Sequence, residues 1–140
     1  MKEYSEEALD KLCEAVQNDE GLESWFTENG CEELWVFWNA LEGDEKSFRW
    51  LMSHHHPELA AVIDSIGGNS QATRWLIVNN YRELAAFTDA IEGSQKAISF
   101  LLQMKETGWV RLAQAIYTKN NKRSKNIFRT IFNFGNPYGR

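Results

Sequence analysis

Leucine returns every 25 residues: Leu9, Leu34, Leu59 and Leu84 share one register, with Trp109 in the fifth place. Other columns keep the same step. Leu12, Phe37, Val62, Phe87 and Leu112 align, as do Val16, Leu41, Ile66, Ile91 and Ile116, behind the small residues Ala15, Ala40, Ser65, Ala90 and Ala115. A turn column reads Asn18, Gly43, Gly68, Gly93 and Thr118. A later one reads Trp25, Trp50, Trp75 and Phe100, followed by Phe26, Leu51, Leu76 and Leu101. A fixed period of this size marks supersecondary units stacked on copies of themselves.

Within one unit, Leu59, Val62, Ile63 and Ile66 follow the i, i+3, i+4, i+7 spacing that puts apolar side chains on one helical face. Gly67-Gly68 ends that helix, because glycine adopts the left-handed conformation without steric penalty, and Asn69 or Ser70 can cap the next helix through a side-chain oxygen. Asp44 and Ser94 stand at comparable cap positions, and Pro57 sits where a first-turn proline is tolerated. A second helix carries Ala72, Trp75, Leu76 and Val78. Helices of about ten residues are marginal in water, so each hairpin has to bury its apolar stripe against its neighbours.

The expected fold is therefore all-α: a helical-hairpin repeat solenoid of about five 25-residue units in one domain, at 8–32, 33–57, 58–82, 83–107 and 108–134, with a tail at 135–140. The ends should differ from the middle. Ser5-Glu6-Glu7-Ala8 begins a polar-faced helix suited to an N-terminal cap. After Asn120 the register breaks, and a basic stretch leads into Ile127, Phe128, Ile131, Phe132 and Phe134, read as a separate C-terminal capping helix. In architecture such hairpins resemble ankyrin and tetratricopeptide arrays. The unit is shorter than either, and neither signature pattern is present, so no functional residue is carried over.

Composition narrows the setting. With 43% hydrophobic and 25% charged residues the chain is too apolar to stay disordered. No secretory leader is apparent at the start, and no apolar run approaches the ~20 residues of a membrane span. A cytoplasmic protein is expected, with Cys13 and Cys31 as reduced structural thiols. Charge is unevenly spread: through Pro57 there are 4 Lys+Arg against 14 Asp+Glu, and from Glu58 onward 11 against 6. Contact between these two poles offers a route to self-association.

Candidate chemistry is sparse. His54-His55-His56 lacks the i, i+4 spacing of a helical metal site and is read as a structural or solvated loop, with His54 in the column of Asn29 and Asn79, where a positive φ is expected. Glu14, Asn39, Asp64, Asp89 and Gln114 form one polar column. Its paired acids Asp64 and Asp89 are read first as a scaffold feature and then as part of a binding surface. Trp25, Trp50 and Trp75 are assigned to packing between units. Trp38 outsizes its column beside the core stripe. Trp35, whose column otherwise holds Asp10, Ala60, Ala85 and Val110, departs from the pattern and is the candidate interface anchor.

No catalytic constellation, metal site or cofactor motif is found. The expected function is a non-enzymatic protein- or peptide-interaction scaffold using Trp35, Asp64 and Asp89. The alternative is binding of nucleic acid or another polyanion through Arg111, Lys119, Lys122, Arg123, Lys125 and Arg129.

Overall fold

The computed structural model describes residues 3–18 and 21–134, with side chains described as far as residue 121. Among the described residues the regular structure is entirely helical: α1 (Glu6–Asn18), α2 (Glu23–Glu28), α3 (Glu32–Leu41), α4 (Glu45–Ser53), α5 (Pro57–Ile66), α6 (Ser70–Val78), α7 (Arg82–Ile91), α8 (Gln95–Gln103) and α9 (Thr107–Phe134). Helices α3, α5 and α7 begin at Glu32, Pro57 and Arg82, and α4, α6 and α8 at Glu45, Ser70 and Gln95.

The turns inside the hairpins are made locally. Gly43, Gly68 and Gly93 take φ of 105°, 98° and 95°. The next residue then caps the following helix: Asp44 Oδ1 accepts from the Lys46 N–H at 3.3 Å, Asn69 Oδ1 from Gln71 at 3.0 Å, and Ser94 Oγ from Ala97 at 3.2 Å.

The corners between hairpins are built differently. The positive φ falls on Gly30, His55, Asn80 and Lys105, one residue later than the sequence suggested. The preceding residues stay on the negative side, and three of the four satisfy the helix end with their side chains. Asn29 Nδ2 donates to the Trp25 carbonyl at 2.7 Å, Asn79 Nδ2 to that of Trp75 at 2.8 Å, and His54 Nδ1 to that of Trp50 at 2.9 Å. His54 thus does the work of an asparagine, closing one of the carbonyls a helix C-terminus leaves open.

The odd-numbered helices touch in cyclic order, α1 on α3, α3 on α5, α5 on α7, α7 on α9, and α9 back on α1. Their shared interior is filled by Leu12, Phe37, Val62, Phe87 and Leu112, all fully buried, and the Phe37 and Phe87 rings lie 6.4 Å apart. Helices α4, α6 and α8 pack against the odd ones before and after them, and α2 packs against α3; the fully buried Phe26, Leu51, Leu76 and Leu101 lie one on each of these four helices.

The contact between α1 and α9 departs from the expected arrangement of separate end caps. Thr107 Oγ1 donates to Glu6 Oε1 at 3.2 Å, Arg111 reaches Asp10 Oδ1 at 2.9 Å, and Lys119 Nζ donates to the Val16 carbonyl at 2.8 Å. The two helices therefore run parallel and in register. Gly108 permits the approach: a Cβ there would stand 2.6 Å from Leu9 Cδ1. The buried side of α1, with Ala8, Leu9, Leu12, Ala15 and Val16, is spent on α9 rather than on a solvent-facing cap. The partners in this contact lie about a hundred positions apart in the chain, beyond the reach of a local sequence pattern.

Helix α9 also continues where a break after Asn120 was expected. Thr118 occupies the column of Gly43, Gly68 and Gly93, so no residue there readily takes a left-handed turn, and the helix runs on to Phe134. The proposed capping residues Ile127, Phe128, Ile131, Phe132 and Phe134 have side chains outside the described residues. No helix among the described residues is long and apolar enough to cross a membrane. Cys13 is half-buried and Cys31 buried, both as free thiols, and burial pushes the Cys13 thiol up to about 11.

Candidate functional site

Parallel odd-numbered helices give the molecule two unlike rims. One collects the glycine turns and the far ends of the odd helices, as where the Tyr117 ring crowds Gly93. The other, the corner rim, collects the starts of α1, α3, α5, α7 and α9.

Carboxylates concentrate on the corner rim. Beside the leucine column runs Ala8, Glu33, Glu58, Glu83 and Gly108, which places a glutamate in the first turn of α3, α5 and α7. That position suits the positive end of the helix dipole. Glu33 retains only 4% of its exposure and Glu58 is buried. Tyr4 reaches across from the segment before α1, and its hydroxyl donates to Glu33 Oε2 at 2.9 Å while its ring meets Trp109 edge-on at 6.1 Å. Burial, then the Glu33 charge and hydrogen bond, raise the Tyr4 phenol well above the usual range. Glu106 is likewise raised, by burial first and then by Glu83 and Glu3. Negative charge on this rim is thus close enough for its members to feel one another. On the opposite rim the hydrogen bond from Ser47 holds Asp44 below the usual carboxylate range.

Aromatic rings stack at the same corners. The Trp50 indole lies parallel to His54 at 4.0 Å and to His56 at 6.0 Å, with His56 Nδ1 3.8 Å from Glu58 Oε1. Trp75 stacks on Tyr81 at 5.7 Å. The tryptophan column was assigned to packing, and Trp25 and Trp50 do pack against the core, but at its edge. Trp25 and Trp50 are half-buried and Trp75 is exposed, and the residue after each one is the fully buried member. A helix lying outside a ring turns only a narrow stripe inward, so a neighbour one position away sits at its margin.

Between the first two corners lies a cleft of about 290 Å³, lined by Thr27, Gly30, Glu32, Glu33, Trp50, His54 and His56. Beyond it, large apolar side chains remain in solvent at the ends of α4, α6 and α8. Met52 is 54% exposed, Ile77 50% and Leu102 50%, with Val78 at 72% and Met104 also exposed. Met52, Ile77 and Leu102 share one register, and Thr27 is their counterpart in α2.

The residues singled out from sequence are scattered relative to this rim. Trp35 does not protrude: it is half-buried, packed on the core, with its ring stacked on Phe26 at 6.0 Å. Asp64 and Asp89 are exposed on α5 and α7. Arg111 and Lys119 bind α1 as described, and Lys119 also lies over the Trp38 ring at 5.4 Å. Lys122, Arg123, Lys125 and Arg129 have side chains outside the described residues. Among the described residues no group of three or more His, Cys, Asp and Glu is placed to hold a metal ion. Two columns were overlooked in the sequence although both are visible there: Glu33/Glu58/Glu83 and Met52/Ile77/Leu102.

In comparisons with known proteins, no family model, no curated protein and no solved structure matches this chain.

Proposed function

We propose that the chain is a closed array of about five hairpin units that catalyses no reaction and serves as a protein-interaction module, its partner docking on the corner rim. The observation that carries this reading is the exposed register of Met52, Ile77 and Leu102, each at least half in solvent. The same register on an inward-facing column would be core. Covering the exposed half of such a side chain is worth roughly 1 kcal/mol apiece, a gain the free chain leaves unrealised. Exposed apolar groups of this kind, beside polar neighbours, mark interaction surfaces.

Charge supports a partner of a particular kind. Glu28 and Glu32 are exposed on this rim, and Glu33, Glu58, Glu83 and Glu106 add buried or half-buried carboxylates at its other positions. A docking segment that is apolar and basic complements both features, whereas phosphate-rich polyanions would be repelled.

The test is affinity capture with the immobilised chain, native against the triple variant Met52→Glu, Ile77→Glu, Leu102→Glu. Since all three side chains are exposed, the variant should melt as the native chain does. It should retain at least roughly tenfold less of any captured protein, about 1.4 kcal/mol of binding free energy. Equal retention would show that the partner docks elsewhere.

A further inference from the structure

The cleft between the first two corners owes its room to a local departure from the pattern. Where the later corners carry Met52, Ile77 and Leu102, the first carries Thr27. Where they carry His55, Asn80 and Lys105, the first carries Gly30. Both replacements shorten the side chain, and a Cβ built on Gly30 would meet nothing within 4 Å.

Several of its walls present hydrogen-bond acceptors. The Thr27 hydroxyl gives its proton to the Glu23 carbonyl at 3.1 Å, which leaves the oxygen as an acceptor. His54 Nδ1 lies 2.9 Å from the Trp50 carbonyl and 3.0 Å from the Ser53 hydroxyl, so that side of the ring is already engaged. Glu32 adds an exposed carboxylate, and Glu33 adds a buried one already accepting from Tyr4. A flat aromatic surface, Trp50 with its stacked imidazoles, forms another side.

A ligand for such a place should be rich in donors, positively charged and planar. Of the side chains a protein partner can offer, guanidinium meets all three demands, with five N–H donors in one plane and an affinity for both carboxylates and aromatic faces. Met52 lies two residues from Trp50 and from His54, so the cleft adjoins the apolar register. We infer that this cleft takes an arginine side chain of the docking partner. The inference rests on the interaction reading above and adds to it one named residue type at one named position.

The probe is N-acetyl-arginine amide, with N-acetyl-citrulline amide as its neutral, near-isosteric control, each titrated into the full chain and followed by amide and indole NMR shifts. The arginine probe should shift Thr27, Gly30, Glu32 and the Trp50 indole saturably, with Kd on the order of 1–10 mM, as expected for a small fragment. The citrulline probe should bind at least about tenfold more weakly, since it lacks the charge. Glu32→Gln should weaken the arginine probe several-fold. Thr27→Met, which installs the side chain of the later corners, should abolish its binding while leaving the melting temperature unchanged.

Equal binding of the two probes, shifts centred elsewhere, or no saturable shift would overturn the inference. Its failure is separable from failure of the broader reading. If the apolar triple variant loses its partner and the arginine probe does not bind, the cleft assignment falls and the docking rim stands. If the probe binds and the triple variant keeps its partner, the reverse holds.

Discussion

The two rims solve the same problem, reversing a helix, with different chemistry. On the turn rim each reversal uses a glycine with φ near 100° and a capping side chain on the next residue. On the corner rim His55, Asn80 and Lys105 hold a left-handed conformation that costs a non-glycine residue roughly 1–2 kcal/mol, and no side-chain cap follows at Cys31, His56 or Tyr81. On the turn rim each reversal meets its local backbone requirements within two or three residues. The corner rim accepts strain, buried carboxylates and exposed apolar groups together, and such departures from local rules gather where a surface does something besides fold.

The sharpest way to break this contrast is at Tyr4. Tyr4→Phe removes a hydrogen bond to the buried Glu33 carboxylate and should destabilise the chain by about 1.5–3 kcal/mol at neutral pH, the range for a hydrogen bond to a charged group, read from urea unfolding. The same variant should alter the alkaline limb. Tyr4 and Cys13 are raised in the folded state, so the stability they contribute is complete below their unfolded pKa values. It is lost as pH rises past about 9–10, where the unfolded chain releases those protons first. Tyr4→Phe should make the decline above pH 10 shallower, and an unchanged slope would remove Tyr4 from the account.

Next in size is Gly68→Ala, which should cost about 1–2 kcal/mol because φ of 98° is strained for any residue with a Cβ. Asn69→Ala should follow at about 1 kcal/mol for the lost cap. The smallest effect has the opposite sign. Lys105→Gly relieves a left-handed lysine and should stabilise by at most about 1 kcal/mol, offset in part by the extra freedom of glycine in the unfolded chain. Losses on the turn rim paired with a gain at this corner would sustain the contrast; a loss at Lys105 would blur it.

Much of the helical frame was legible in the sequence because it is decided locally. The glycines, the caps at Asp44, Asn69 and Ser94, and the apolar face of Leu59, Val62 and Ile66 each act within a few residues. What escaped depends on longer sums or finer angles. The meeting of α1 with α9 joins residues 101 positions apart, which no local pattern encodes. The left-handed corner residue was placed one position early, since an asparagine suits a left-handed residue and a helix-capping side chain equally well, and only the geometry shows Asn29 and Asn79 capping. Trp50 and Leu51 look equally apolar, yet a turn of about 100° per residue puts one at the margin and the other in the core. Trp35 was singled out for its size, but a large side chain out of pattern can fill space as readily as it can protrude. The glutamate column was missed because charged residues beside a core stripe are ordinary. Its meaning appears only when the helix starts are seen side by side.

Hydrogen–deuterium exchange of the chain with and without a captured partner tests the docking rim most directly. The account predicts added protection at residues 52–56, 77–81 and 102–106, with residues 42–44, 67–69 and 92–94 exchanging as in the free chain. Protection confined to the glycine turns, or to α9 alone, would contradict it.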